Sequence, residues 1–124
     1  MITGIGIDIV RIDRMKRWIV RPMLMKRYFH ENEISDAKGK GDAAFAMALA
    51  ARFAAKEAFG KALGTGLMGI SLKEIQVENN RSGKPGITLY GKAKAAYEKT
   101  GGRYIHLSLT HETDNAVAVV VIEK

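Results

Sequence analysis

Cysteine is absent from the 124-residue chain. Disulfides, thiolate zinc sites and cysteine nucleophiles are therefore excluded. The absence fits a cytosolic protein. No apolar run is long enough to cross a bilayer, so no membrane partner is expected. The apolar opening, Met1 to Val10, has no basic segment before it and contains an aspartate, which reads as a strand and not as a signal peptide. A Gly-x-Ser-x-Gly turn is missing, which argues against a serine hydrolase. The three histidines lack metal-site spacing. No repeat, linker or low-complexity stretch interrupts the chain, so residues 1–124 read as one domain.

Acidic residues are scarce beside basic ones: 13 Asp and Glu against 20 Lys and Arg, for a formal net charge of +7. A basic domain expects an acidic partner, which is a nucleic acid, an anionic membrane, an acidic protein or a phosphorylated ligand. Charge alone does not choose among these, and solubility accounts for many of the lysines.

What is present is patterned. From Ile2 to Val10, Ile5, Ile7 and Ile9 alternate with Gly4, Gly6 and Asp8. This predicts a strand whose isoleucine face is packed. The glycine face, stripped of bulk beside a carboxylate, implies close approach of another backbone or a ligand. Asp13 is placed to cap a short helix from Arg14, and Pro22 to split the Arg11–Arg27 segment. Phe29 to Ile34 reads as a further helical turn. The strongest helix runs from Ala43 to Leu63 and ends at Gly64. Strands are predicted at Glu74–Asn79, Ile87–Tyr90, Tyr104–Thr110 and Ala116–Ile122, the last two as a hairpin, with a helix at Lys92–Lys99. The fold class is α+β, one domain with a mainly antiparallel sheet and a long central helix.

Glu57 lies among Ala54, Ala55, Ala58 and Phe59, where a carboxylate has to be paired, metal-bound or on an exposed stripe. Glu57 and Lys61 have the spacing of a surface ion pair. Asp8 reads as a polar edge residue or, if it meets Glu57, as half of an oxygen pair suited to Mg²⁺, with Lys61 reaching a phosphate. Gly64-Thr65-Gly66 permits close backbone approach, but the Gly-Lys-Ser/Thr ending of a P-loop is missing. His111 ends a strand carrying His106, Ser108 and Thr110. That arrangement suits anion binding and an ordinary hairpin turn alike.

Taken together, these segments resemble the holo-acyl-carrier-protein synthases, a family of 4′-phosphopantetheinyl transferases. The resemblance rests on Gly4-Ile5-Gly6-Ile7-Asp8-Ile9-Val10, on Arg52-Phe53-Ala54-Ala55-Lys56-Glu57-Ala58-Phe59 with Lys61 to Gly66, on Gly83-Lys84-Pro85, and on Leu107-Ser108-Leu109-Thr110-His111. The motifs occur in family order and span nearly the whole chain. The resemblance implies transfer of 4′-phosphopantetheine from coenzyme A to a serine of apo acyl carrier protein, releasing 3′,5′-ADP, in support of fatty acid biosynthesis. It implies a cytoplasmic homotrimer with sites between neighbouring subunits. Asp8 and Glu57 match its Mg²⁺ ligands and, with Lys61, its catalytic residues. Arg52, Lys61, Gly64, Pro85, Thr110 and His111 match positions along coenzyme A, with His111 near the 3′-phosphate. The basic first helix matches the surface that docks the acidic carrier. Arg14, Arg17 and Arg21 share one face of it if the helix reaches Pro22, with Trp18 alongside. Glu57 and a water on the metal are both open as the base that takes the serine proton.

Two positions depart from the family pattern. Gly60 stands where many relatives carry serine, and Glu112 follows His111 where threonine is common, adding negative charge near the 3′-phosphate end. The rival from another class is a basic nucleic-acid-binding module, supported by the charge and the Arg-rich segment. Against it, no nucleic-acid motif is recognisable, and phosphate binding needs no paired carboxylates.

Overall fold

A computed structural model describes residues 1–124. Strand β1 spans Ile2–Arg11, and the long helix α4 spans Asp42–Leu63. The two lie in direct contact because β1 presents no side chains where they meet. A methyl built on Gly6 would collide with the Ala58 carbonyl oxygen and sit 2.8 Å from the Ala62 nitrogen, and one on Gly4 would meet the Ala62 carbonyl. The other backbone expected against the glycines is thus that of α4. The packed face is the reverse of the expected one. Ile5, Ile7 and Ile9 are 66%, 59% and 62% exposed, while the glycine face is pressed onto the helix. The alternation fixed two faces but not their assignment. The alanines of α4 make a surface flat enough to take a strand without side chains, and this outweighs burial of the isoleucines.

Helix α1 spans Ile12–Trp18 and α2 spans Pro22–Tyr28, with Pro22 in the first turn, where its missing N–H costs nothing. The expected cap at Asp13 is corrected: Arg11 occupies the N-cap, and Asp13 lies in the first turn, 3.6 Å from Lys16. Helix α3 spans Glu31–Lys38 and is longer than the single turn expected over 29–34. His30 caps it by accepting the Asn32 N–H at 3.1 Å, and Glu33 accepts the His30 N–H at 2.9 Å. That is a capping box closed by an imidazole, which the Ser/Thr signature does not reveal. Gly64 ends α4 in the left-handed conformation, φ 83°.

A 3₁₀ turn at Leu72–Glu74 leads to β2, Ile75–Asn79, which pairs antiparallel with β3, Pro85–Leu89. Helix α5, Gly91–Lys99, then connects to the hairpin of β4, Tyr104–His111, and β5, Asn115–Glu123. The larger sheet is antiparallel, in the order β1-β5-β4. Its inner face lays Ala116, Ala118, Val120 and Ile122 against α4, all fully buried. Its outer face, by register, carries the rows Ile5–Val121–His106, Ile7–Val119–Ser108 and Ile9–Val117–Thr110. β5 therefore alternates in burial, although its sequence is apolar from Ala116 to Ile122.

Two ion pairs fasten α3 to α4. Lys56 is fully buried and donates to Glu33 at 2.6 Å, to the Leu72 carbonyl at 2.9 Å and to the Ile75 carbonyl. Burial pulls the Lys56 pKa down, and the Glu33 carboxylate opposes that pull. Arg52 donates to Asp36 at 2.6 Å. With an acceptor for the Lys56 ammonium and for each Arg52 nitrogen, such pairs hold orientation more than they add stability.

Candidate active site

Asp8 follows Gly6 by two residues on the same side of β1, so the close strand–helix contact carries its carboxylate to α4. There Lys61 donates to Asp8 Oδ1 at 3.2 Å and to the Ile7 carbonyl at 3.0 Å. Lys61 thus bonds across to β1, and the i, i+4 pair with Glu57 does not form. Glu57 makes no ion pair. Burial first, and the Asp8 charge second, push its carboxyl above the ordinary glutamate range; Arg14 and Lys61 pull it back. Two carboxylates therefore converge with only one cation bonded to either. No group of three or more metal-binding side chains forms in the chain. A pair suits Mg²⁺, which completes its octahedron with water and phosphate oxygens. The donor set fits that ion, which would offset the repulsion that raises Glu57.

Arg14 stands over two aromatic rings, 5.0 Å from the centre of Trp18 and 4.9 Å from that of Phe53. Trp18 in turn stacks on Tyr28 at 5.0 Å and meets Phe53 edge-on at 5.2 Å. Arg14 therefore faces the Glu57 site from α1, a placement its helical spacing alone does not show. The single three-arginine face is corrected. Helix α1 ends at Trp18, and Arg21 is the N-cap of α2, its carbonyl accepting the N–H groups of Leu24 and Met25. Arg17 and Arg21 are both exposed.

A second group gathers on another side of α4. Arg52 is 5% exposed and donates to Val77 O at 3.3 Å, Ala48 O at 3.4 Å and Asp36. It borders a cavity of about 230 Å³ with His111 and Leu109 from the inner side of β4. Thr110, the neighbour of His111, points to the outer face in the row of Ile9 and Val117. Pro85 opens β3 opposite Asn79. Within one chain, then, Asp8, Glu57 and Lys61 come together with Gly64 one turn on, and Arg52 and His111 come together elsewhere.

The two departures have local explanations. A side chain at Gly60 would place its Cβ 2.7 Å from Leu67 Cγ, so glycine here goes with Leu67 packed over the helix. Glu112 accepts from the Asp114 N–H at 3.1 Å and from Asn115 Nδ2 at 2.9 Å, bonds that lower its pKa. Its charge is engaged in the β4–β5 turn.

Residues 4–120 match the model of the 4′-phosphopantetheinyl transferase superfamily. A holo-[acyl-carrier-protein] synthase of Treponema denticola is 53% identical over 123 residues, covering 99% of each chain. Among solved structures, the holo-[acyl-carrier-protein] synthase of Neisseria meningitidis superposes with TM-score 0.87 at 38% identity, covering 100% of both chains. The holo-(acyl-carrier-protein) synthase of Bacillus anthracis, in complex with CoA (3′,5′-ADP), gives TM-score 0.83 at 38% identity over 100% of this chain and 98% of that one.

Proposed function

The chain belongs to the 4′-phosphopantetheinyl transferase superfamily, and on that footing we propose that it is a holo-acyl-carrier-protein synthase. It transfers 4′-phosphopantetheine from coenzyme A to a serine of apo acyl carrier protein, giving holo carrier and 3′,5′-ADP for fatty acid biosynthesis. What carries this reading is the meeting of Asp8, Glu57 and Lys61 at the contact of β1 with α4, in a chain alike over its whole length to named synthases. The whole of 1–124 acts as one transferase domain, and its compartment is the cytoplasm, in keeping with a cysteine-free sequence.

Asp8 and Glu57 are the residues that would hold Mg²⁺. When bound, the ion supplies charge neutralisation and orientation at the pyrophosphate. Lys61, anchored by Asp8 and the Ile7 carbonyl, offers a point charge to the same phosphates as negative charge develops. The carrier serine oxygen forms a bond to the β-phosphorus. The bond from that phosphorus to the oxygen of 3′,5′-ADP breaks, and the serine proton passes to an acceptor. Glu57 is an acceptor the chain itself provides.

Arg14, Arg17 and Trp18 on α1, with Arg21 at the start of α2, are the docking residues for the acidic carrier, and Trp18 stacks on Tyr28 beside Arg14. A homotrimer accounts for two further features. The outer sheet face leaves Ile5, Ile7 and Ile9 uncovered, which a neighbouring copy would bury. Arg52, Pro85, Thr110 and His111 stand apart from the carboxylates, so a neighbour's set would complete the site, with Gly64 at the junction. The test is direct. Incubation with coenzyme A, Mg²⁺ and apo carrier should add one phosphopantetheine to the carrier by mass, and an unmodified carrier overturns the assignment.

A further inference from the structure

A groove of about 750 Å³ opens between α2, α3 and the 3₁₀ turn. Each of these elements contributes one lysine to its lining: Lys26 from α2, Lys38 from α3 and Lys73 from the turn. All three are exposed, and none pairs with an acid. Glu31 is the single acid on the lining. The His30 ring is already engaged, accepting the Asn32 N–H at 3.1 Å and stacked on Tyr90 at 5.7 Å. The backbones that carry the lysines are fastened to one another. Buried Lys56 bonds Glu33 of α3 and the Leu72 carbonyl beside Lys73, and it lies 5.5 Å from the ring of Phe29, which follows α2 and lines the groove. Like charges held together in this way repel one another in the free chain, and an anionic partner relieves the repulsion.

We propose that this groove is a second contact for the acidic carrier protein, which straddles α2. The inference rests on the transferase reading above and adds a surface to it. Helix α2 has two flanks. On one, Tyr28 stacks on Trp18 of α1 and carries the Arg27 guanidinium 5.5 Å from its ring centre. On the other, Lys26 borders the groove. A helix with its side chains is about 10–12 Å across, against about 30 Å for a small domain, so a carrier seated on α1 is wide enough to overlap both flanks. Charge favours that occupant, because three unpaired lysines against one glutamate complement an acidic surface. Lysine ammoniums act as point charges on flexible stems, so they meet carboxylates without demanding one fixed geometry. None of the three lysines lies in a segment that marks the family in this sequence, so only the folded chain brings them together.

The test uses the full-length protein with Mg²⁺, coenzyme A and apo carrier. Both positions are exposed, so the double variant Lys26→Glu, Lys73→Glu should keep the wild-type melting temperature. Its KM for the carrier should rise by roughly tenfold, as expected when a few exposed charge pairs are lost together. Its kcat and its KM for coenzyme A should stay in place, and its carrier KM should depend less steeply on salt than that of the wild type. The double variant Lys92→Glu, Lys99→Glu on α5 makes the same change of charge and should leave the carrier KM unmoved. With wild-type protein, a zero-length carbodiimide should join carrier carboxylates to Lys26, Lys38 or Lys73, and mass spectrometry locates the amides. An unmoved carrier KM, an equal response to the α5 variant, or no cross-link at the three lysines overturns the groove contact while the transferase reading stands. So does a rise confined to KM for coenzyme A, which would mark a phosphate site. Loss of binding to a labelled RNA with the carrier KM intact overturns it too, and assigns the groove to nucleic acid. Failure of the wild type to modify the carrier overturns both readings.

Discussion

Glu57 carries a carboxyl that the fold disfavours in its charged form. Burial and the neighbouring Asp8 raise its pKa, so the folded chain binds this proton more tightly than the unfolded chain does. The associated stability is fully present below the ordinary value of 4.5 and is lost as pH rises through the raised value. Glu57→Gln removes that penalty. In protein stripped of divalent cations, the variant should melt higher than wild type at neutral pH, with a flatter pH profile above 4.5. Added Mg²⁺ should raise the wild-type melting temperature and leave that of the variant unmoved, while transfer by the variant falls by orders of magnitude. Asp8→Asn should lose transfer alike. A variant that still responds to Mg²⁺ would refute the metal assignment, and one that is no more stable would refute the penalty on the charged carboxyl. Lys61→Ala separates site from surface in another way. An exposed ion pair contributes about 0–1 kcal/mol, so melting should barely change, whereas transfer and coenzyme A affinity should drop. Intact transfer would return Lys61 to a surface role.

The contact between β1 and α4 transmits sequence to site geometry. Gly6→Ala sets a methyl against the Ala58 carbonyl, and backbone on both sides leaves nothing to rotate away. The strand has to lift, taking Asp8 from Glu57. Such overpacking costs about 1–3 kcal/mol. Transfer should suffer more than stability, read as a fall in kcat at temperatures where circular dichroism shows the fold intact. Gly60→Ser meets the Leu67 side chain, which can shift, so its cost should fall at the low end of that range and its transfer should persist. If the two variants behave alike, the strand–helix contact does not set the site. Most elements were legible because 3.6- and 2-residue periodicities are local properties: α4, α5, the β4–β5 hairpin and the break at Pro22 all emerge from them. The faces of β1 were not, because their assignment depends on the alanine surface of a helix some fifty residues away. Nor was the end of α1 at Trp18, which divides the arginines between two helices. Asp8, Glu57 and Lys61 were nameable by resemblance, but the bond from Lys61 to Asp8 in place of Glu57 required the fold.

At the scale of the molecule, charge and shape divide into separate tasks. The net charge of +7 suits an acidic carrier, and the exposed isoleucine rows suit a second copy of the chain. The division of the site residues makes the strongest demand. Asp8 and Glu57 lie where β1 meets α4, and Arg52 and His111 line a cavity on another side of the same helix. If a working site takes its carboxylates from one subunit and its nucleotide end from the next, two defective variants should repair each other. Glu57→Gln lacks the first half-site and His111→Ala the second. Unfolded together in equal amounts and refolded, they assort at random into trimers. A site works when its carboxylate side comes from the His111→Ala chain and its neighbour is the Glu57→Gln chain. Random assortment in a closed ring meets that condition at about a quarter of sites. Transfer by the mixture should therefore approach a quarter of the wild-type rate, while each variant refolded alone stays near zero. Size-exclusion chromatography with light scattering gives the subunit number of the same sample. A trimer without repair would place both half-sites in one chain, and a monomer would remove the shared site altogether.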